Sequence, residues 1–223
     1  MTKKYIFVLC PPYQGSTIIV NLLDSSKQVS TMLSHDTVGE SQWLIKNYGD
    51  EMYEPNRWDP EYNTSISIIK NILDTHLDNN KSVFVEKSPP NICRAKKIQE
   101  YFSEFGEVYF IISIRCPYST KYSAEKWVTY AEYQKKNIEE LDNIIVTSYE
   151  SICQNLPDFI SKIKEKIPEL NDIRNRDNKN VNNERGKQIH SGYINRIINK
   201  QEKNTVLKNH LDLLHFFGYK LIE

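Results

Sequence analysis

The sequence has no excess of charge, no long apolar run and few cysteines. Lysine plus arginine and aspartate plus glutamate both number 29, so the formal net charge is zero. This balance excludes the strong overall potential typical of nucleic-acid-binding proteins, and we expect no nucleic-acid partner. Because no apolar stretch approaches the roughly 20 residues that span a bilayer, we also expect no membrane span. Any anion site must therefore be built locally.

The cysteines carry no metal-binding pattern. Cys10, Cys93, Cys116 and Cys153 form no C-x-x-C pair and have no histidine cluster beside them, so we expect no metal site. The opening M-T-K-K-Y-I-F-V-L-C contains an apolar run that is too short for a signal peptide. Reduced cysteines and the lack of a secretory signal predict a cytoplasmic protein.

Short apolar segments alternate with stretches of helical spacing. Four segments have the nearly continuous apolar character of buried strands: Tyr5–Cys10, Ser82–Glu86, Val108–Ile114 and Asn143–Thr147. Helical spacing occurs in Thr17–Leu23, Ile66–Leu77, Ile92–Phe105, Ile152–Ile167 and Val206–Phe217, the last ending at Gly218, a typical C-cap. We predict a single α/β domain over residues 1–223, with a central, mostly parallel sheet of four to five strands flanked by helices.

The segment P-P-Y-Q-G-S-T, residues 11–17, follows the first strand and opens the first helix. Amides at a helix N-terminus form an anion site without a charged side chain, and Gly15 allows the backbone to approach closely. The lysine of the G-x-x-x-x-G-K-[ST] loop is absent, and Tyr13 and Gln14 stand where a cation would be expected. Taken alone, this P-loop-like segment is equally compatible with an ordinary turn and with a phosphate site.

Two other predicted strands end in cationic side chains. Arg115 follows one strand and is itself followed eight residues later by Ser123, while Glu86 and Lys87 end another. Ligands of open α/β sheets bind beyond the carboxyl ends of the strands, and the planar arginine fork suits phosphate. The alternatives are that Arg115 pairs with a surface carboxylate and that Glu86 and Lys87 form a solvated ion pair.

Taken in order, these motifs resemble those of the sulfotransferases that use 3′-phosphoadenosine 5′-phosphosulfate (PAPS). The family's P-[RK]-S-G-T-T loop aligns without gaps to residues 12–17, and Arg115 with Ser123 matches the family's R-x-P-x(5)-S motif. Further similarities are L-L-D-S-S after the loop, E-K-S-P at Glu86, Y-E at Tyr149, E-R-G-K at Glu184 and F-G-Y-K-L near the C-terminus. The resemblance spans residues 5–221.

The resemblance implies in-line transfer of a sulfuryl group from PAPS to a hydroxyl, without a metal, leaving adenosine 3′,5′-bisphosphate. The residues it implies for the nucleotide are Tyr13, Gln14, Gly15, Ser16 and Thr17 in the 5′-phosphosulfate loop, Arg115 and Ser123 at the 3′-phosphate, Tyr149 near the adenine, and Arg185, Gly186 and Lys187 as a closing loop. Tyr13 occupies the slot of the family's lysine or arginine, and a phenol there carries no charge at neutral pH. Lys87 would lie near the sulfuryl group and supply the missing cation.

The resemblance also implies a catalytic base that follows the first helix. Glu40, in T-V-G-E-S-Q-W, is the first candidate and His35 is the second. The alternative for each is an ordinary polar loop residue.

Aromatic residues in two segments predict a carbohydrate or small hydroxylated acceptor, because flat rings suit sugar rings. They are Trp43, Tyr48, Tyr53, Trp58 and Tyr62 in an irregular segment, and Trp127, Tyr130 and Tyr133 at helical spacing after the Arg–Ser motif. Packing in the core or on the surface is the alternative.

Two other functions are compatible with the sequence. One is a different α/β nucleotide-binding transferase such as a small-molecule kinase, against which the missing loop lysine argues. The other is a non-catalytic relative that binds a nucleotide or a partner, which Tyr13 favours.

Overall fold

The computed structural model describes residues 2–33, 39–45, 57–60, 66–175 and 197–223. Within them, a five-stranded sheet has the strand order β2-β3-β1-β4-β5, and all neighbouring strands are parallel. The strands are β1 Lys4–Leu9, β2 Val29–Thr31, β3 Val83–Glu86, β4 Glu107–Ile114 and β5 Ile144–Ser148. The predicted α/β fold with a parallel sheet is confirmed. The sequence does not indicate β2, because three residues are too few to show a pattern.

The order of the strands reverses around β1, which lies between β3 and β4. Phe7 of β1 is level with Glu86, the last residue of β3, and Leu9 is level with Ile112 of β4. The carboxyl ends of these three strands therefore meet at one edge of the sheet. Such a reversal is the usual ligand site of open α/β sheets.

Helices cover the sheet, and two of the predicted helical stretches are divided. The described α-helices are α1 Ser16–Leu23, α2 Gln42–Ile45, α3 Ile66–His76, α4 Ala95–Phe102, α5 Ala124–Glu140, α6 Tyr149–Gln154, α7 Leu156–Lys166, α8 Lys200–Leu207 and α9 Leu211–Phe216. The stretch 152–167 breaks between α6 and α7, because Pro157 lacks the N–H that would continue α6. Asn155 then caps α7, its side chain accepting the Asp158 N–H at 3.3 Å.

Both faces of the sheet are buried at β1, β3 and β4, which explains the nearly continuous apolar character of these strands. On one face, the rings of Tyr5 and Phe7 pack edge-on against Phe102 of α4, with centroids 5.0 and 4.9 Å apart. On the other face, Val8 belongs to one buried cluster with Ile19 of α1. Burial of each such side chain stabilises the fold by about 1.5–3 kcal/mol, which holds the strand ends in place.

The predicted helix over residues 206–217 is wrong as a single element, since the chain forms α8 and α9 there. The predicted C-cap at Gly218 is confirmed for α9. Gly218 has a φ of 75°, and the N–H groups of Gly218 and Tyr219 donate to the carbonyls of His215 and Leu214, both at 2.9 Å. This pair of hydrogen bonds is the Schellman motif, in which glycine is favoured because the backbone is left-handed.

All four cysteines are free thiols. Burial raises the pKa of Cys10 to about 12, so this side chain behaves as part of the apolar core. Among the described residues, no helix is long and apolar enough to cross a membrane.

Candidate functional site

The first loop adopts an unusual backbone at the carboxyl end of β1. Tyr13 and Gly15 both have left-handed conformations, with φ values of 57° and 102°. α1 begins at Ser16 without a side-chain cap, so its first amides have no partner within the helix. A β-carbon at Gly15 would lie 2.5 Å from Cδ2 of Tyr149, so the ring of Tyr149 requires glycine here. These features give the loop the form of an anion cradle.

Gln14 connects this loop to the end of β4. The side chain is 1% exposed, and its Oε1 accepts the backbone N–H of Arg115 at 2.9 Å. Its Nε2 is buried and has no hydrogen-bond partner among the described residues. A buried donor without a partner costs about 1–3 kcal/mol, so the loop offers a donor that a bound anion could satisfy.

Arg115 is buried between the loop and the ring of Tyr149. Its guanidinium lies 4.3 Å from the centroid of the Tyr149 ring, and its Nε donates to the Ser119 hydroxyl at 2.9 Å. Lys203 of α8 fixes the turn that follows, donating to the carbonyls of Pro117 and Thr120 at 2.7 Å. Two of the residues predicted for the nucleotide, Arg115 and Tyr149, are therefore in contact.

Ser123 lies apart from these contacts. Its hydroxyl caps α5 by accepting the N–H of Lys126 at 3.4 Å, and the side chain is exposed. The structure therefore accounts for Ser123 by capping, and its part in binding a 3′-phosphate stays a prediction.

Lys87 and Glu40 form an ion pair. Lys87 is 2% exposed, and its Nζ lies 2.7 Å from Oε1 of Glu40. The other carboxylate oxygen of Glu40 accepts hydrogen bonds from the indole of Trp43, at 3.0 Å, and from the side chain of Gln42. The fold thus brings together two of the predicted catalytic residues, which are separated by 47 positions. The alternative of a solvated pair between Lys87 and Glu86 is wrong.

Glu86 is a buried anchor that the motifs of the sequence did not predict as a site residue. Its carboxylate accepts the N–H and hydroxyl of Ser41 at 3.0 and 2.7 Å, and the N–H of Ser88 at 2.9 Å. The hydroxyl of Ser88 and the amide of Asn91 complete the set of donors. Burial raises the pKa of Glu86, and the bonds from Ser88 and Ser41 only partly oppose it. Glu86 therefore ties the segment that carries Glu40 to the end of β3.

The sequence contains a pattern that is consistent with this anchor. Glu86 ends an apolar strand, and small polar residues follow it two and five positions later, at Ser88 and Asn91. A carboxylate at the end of a buried strand needs several donors, because burying an unsatisfied charge is costly.

A cavity of about 530 Å³ lies beside the loop and the ion pair. Its described lining consists of Pro12, Tyr13, Gly15, Ser16, Thr17, Glu40, Trp43, Arg57, Trp58, Lys87, Pro89, Tyr122, Lys126 and Tyr130. One space therefore adjoins the predicted phosphosulfate loop, the predicted catalytic pair and three of the predicted acceptor aromatics.

Trp127 has a different place from the one predicted. It is fully buried, and its indole N–H donates to the carbonyl of Arg115 at 2.8 Å. Its ring packs edge-on against Phe217 and Tyr219. The prediction that Trp127 faces an acceptor is wrong, because its side chain packs α5 against the C-terminus. Tyr133 is not among the described residues that line the cavity.

Some predicted site residues lie outside the described part of the chain. They are His35, Tyr48, Tyr53, Tyr62, Arg185, Gly186 and Lys187.

Comparison with known proteins bears on the fold. No protein-family model matches the chain. No curated protein matches it either. The sulfotransferase domain of the Synechococcus PCC 7002 olefin synthase superposes with a TM-score of 0.52 at 14% sequence identity, covering 99% of this chain and 96% of that one. The chain has the sulfotransferase fold. The resemblance found in the sequence is therefore confirmed at the level of the fold.

A second similar structure is retinol dehydratase in complex with androsterone and the inactive cofactor PAP. It has a TM-score of 0.33 at 13% identity, covering 75% of this chain and 59% of that one. At that TM-score it supports no inference about this chain.

Proposed function

We propose that this protein is a PAPS-dependent sulfotransferase acting on a hydroxyl acceptor, with residues 1–223 as one domain and no metal requirement. The observation that carries the proposal is a single cavity that adjoins both the loop around Gly15 and the buried pair of Lys87 with Glu40. A loop at a helix N-terminus without a side-chain cap suits a phosphosulfate, and a cation next to a carboxylate suits sulfuryl transfer.

The residues present fit the nucleotide. Gln14 has a buried Nε2 with no described partner, which an anion on the loop would satisfy. Ser16 and Thr17 line the cavity and offer hydroxyls to the same group. Arg115, stacked on Tyr149, would hold the second phosphate, and the Tyr149 ring offers an aromatic surface next to it. Both phosphates of the nucleotide thus have candidate partners at the edge where β1 and β4 end.

PAPS, when bound, supplies an activated sulfuryl group. Lys87 would stabilise the negative charge that develops on the sulfuryl and leaving oxygens, because its Nζ is buried and fixed by Glu40. Glu40 would receive the proton that the acceptor hydroxyl loses as its oxygen takes the sulfuryl group. Tyr13 cannot replace the cation of its slot, since a phenol is neutral at pH 7.

Binding of the nucleotide product tests the first half of the proposal. Thermal unfolding should shift upward with adenosine 3′,5′-bisphosphate, since a ligand at a hundred times its Kd stabilises by about 2.7 kcal/mol. ATP, with or without magnesium, should give a smaller shift, and a larger shift with ATP and magnesium would favour a kinase. Indifference to the bisphosphate would overturn the proposal.

Transfer of labelled sulfate tests the second half. The neutral Tyr13 favours a second candidate function, a relative that binds the nucleotide without turnover. Labelled product with a mixture of hydroxylated acceptors is expected for the enzyme. Bisphosphate binding without labelled product would favour the non-catalytic relative.

A further inference from the structure

The cavity has an aromatic wall that three separate segments of the chain build together. The ring centroid of Tyr13, in the first loop, lies 6.4 Å from that of Tyr122, just before α5. Tyr122 lies 5.6 Å from Tyr130, and Tyr130 lies 5.0 Å from Trp58. We call these four residues the aromatic wall. Neighbouring rings are tilted or perpendicular, with interplanar angles of 45°, 79° and 47°, and a ring-shaped ligand gains stabilisation from such rings by stacking or by edge contacts.

Tyr13 is an unusual member of this wall. A bulky residue in a left-handed conformation costs about 1–2 kcal/mol, and Tyr13 has a φ of 57°. Its side chain is 87% exposed although it lines the cavity. A strained backbone that presents a large ring to an open space is typical of a ligand-binding surface.

The opposite end of the wall is held by a buried arginine. Arg94 is 3% exposed, and its two terminal nitrogens donate to the carbonyls of Arg57 and Asp59, at 2.9 and 2.6 Å. Trp58 also packs against the main core cluster. The positions of Arg57 and Trp58 are therefore set by the frame of the protein, independently of the nucleotide loop.

Cations outnumber carboxylates among the described residues that line the cavity next to this wall. Its described lining has three cations, Arg57, Lys87 and Lys126, against the carboxylate of Glu40. The guanidinium of Arg57 lies 5.2 Å from the centroid of the Trp58 ring. Burial raises the pKa values of two other wall residues, Tyr122 and Tyr130, and the charge of Arg57 partly opposes this rise in both. Arg57 therefore places a cationic side chain beside the wall, outside the loop.

Building on the proposed function, we propose that the acceptor is a ring-shaped molecule that carries an acidic group. Its ring would lie on the aromatic wall, its acidic group would pair with Arg57, and its hydroxyl would reach Glu40 and Lys87. Tyr13 would then be an acceptor-binding residue in the slot where the family has a cation. Aromatic acids and uronic acids share this chemistry.

Matched pairs of acceptors test the charge requirement and separate these two sources. 4-(Hydroxymethyl)benzoate is compared with 4-methylbenzyl alcohol, and methyl glucuronide with methyl glucoside. Binding to the bisphosphate-loaded protein is measured by calorimetry, and kcat/KM is measured with PAPS. In at least one pair, the acidic compound should bind about tenfold more tightly than the neutral one, because it gains one favourable charge contact with Arg57. Arg57→Gln should bring that ratio to about one while the neutral member is unaffected.

Arg174→Gln is the matched control. Arg174 is exposed, and its N–H donates to the hydroxyl of Ser25, beyond the C-terminus of the eight-residue helix α1. It therefore lies about 12 Å or more from the nucleotide loop, given the rise of a helix. The acidic preference should survive in this variant. Equal binding within both pairs, absence of binding by all four compounds, or an acidic preference that persists in Arg57→Gln would overturn the proposal. If the bisphosphate itself fails to bind, the proposed function fails instead.

Tyr13 variants test its place in the wall. Tyr13→Phe should retain acceptor binding, because the ring remains, while Tyr13→Ala should raise the acceptor KM about tenfold for both members of a pair. Affinity for the bisphosphate should stay unchanged in both variants. If Tyr13→Phe lowers kcat and leaves KM unchanged, the hydroxyl acts on the leaving oxygen and the proposed role of Tyr13 is wrong.

Discussion

In the proposed mechanism, Lys87 compensates for the cation that Tyr13 lacks. Lys87 is buried, whereas the side chain of Tyr13 points largely to solvent. The arrangement therefore places the positive charge on the end of β3 instead of on the loop.

Replacing Lys87 by alanine tests this assignment. We expect Lys87→Ala to lower kcat by about a hundredfold to a thousandfold, the usual effect of removing one stabilising donor. Affinity for adenosine 3′,5′-bisphosphate should remain close to that of the wild type, because the loop amides and Arg115 are untouched. Lys96→Ala, at an exposed position of α4, serves as the control. Near-normal turnover of Lys87→Ala in a sulfate-transfer assay would show that the compensating cation lies elsewhere.

The base is tested by the dependence of rate on pH. We expect Glu40→Gln to lower kcat by about a hundredfold or more and to remove the fall in rate at low pH, because an amide accepts no proton. The same profile measured on His35→Asn tests the second candidate. A pH profile that Glu40→Gln leaves intact, and that His35→Asn flattens, would move the role to His35.

At the scale of elements, four of the five described strands were predictable, but β2 and the contacts across the site were not. Nearly continuous apolar runs marked β1, β3 and β4, because those strands are buried on both faces. A similar run marked β5, which lies at the end of the sheet and is only partly buried. Glu40 and Lys87, however, meet across 47 positions, and Ser41 and Glu86 across 45. No local pattern reports such a contact, since it joins the end of β3 to a segment that is more than 40 positions away.

The aromatic wall shows the same limit. Trp58 and Tyr130 could be named as acceptor candidates from the sequence, but Tyr122 could not. Tyr13 was assigned to the nucleotide by alignment, yet its ring lies nearest to Tyr122 among the wall residues. The sequence shows which residues are aromatic. It does not show which of them lie together in the wall, because that depends on how three separate segments pack.

Glu86→Gln tests the anchor between β3 and the segment that carries Glu40. An amide at position 86 would present donors to the donors of Ser41, Ser88 and Asn91, and a buried unsatisfied donor costs about 1–3 kcal/mol. We therefore expect a lower urea midpoint. We also expect a lower kcat at a temperature where the variant remains folded, because Glu40 would lose its fixed position.

Trp43 reports this loosening directly. Its indole donates to Glu40, and it lies two residues after Ser41. Acrylamide should quench the fluorescence of Glu86→Gln more than that of the wild type. Glu100→Gln, at an exposed position of α4, is the matched control. If the variant is destabilised but its quenching and kcat are unchanged, Glu86 serves the fold alone.

At the scale of the whole molecule, the two edges of the sheet have different tasks. The carboxyl edge carries the loop, the ion pair and the cavity. The amino edge carries a polar clasp, in which Lys4 of β1 lies 2.7 Å from Glu107, the first residue of β4. The hydroxyl of Tyr109 donates to the same carboxylate at 2.6 Å. The clasp joins the central strands without reaching the site, so its removal should affect stability and leave function intact.

This clasp predicts how stability depends on pH. The hydrogen bond from Lys4, with that from Tyr109, lowers the pKa of Glu107 below its ordinary value. The ionised carboxylate is therefore favoured by folding, so its contribution is present above the unfolded pKa of about 4.3 and is lost as the pH falls through the lower folded value. Because the Glu107 side chain is 46% exposed, the contribution should be below about 1 kcal/mol and should weaken with salt.

Urea unfolding of the wild type and Glu107→Gln at pH 7 and near pH 3 measures this contribution. At pH 7 in low salt the wild type should be more stable, and the difference should be smaller near pH 3, because the contribution is lost as the pH falls from the unfolded pKa through the lowered folded pKa of Glu107. Other acidic groups are common to both proteins and cancel in the difference. Adenosine 3′,5′-bisphosphate affinity should be the same for both at pH 7, because Glu107 lies at the edge of the sheet opposite the cavity. A stability difference that is equal at both pH values would mean that Glu107 acts through packing, since only its charge is lost on acidification.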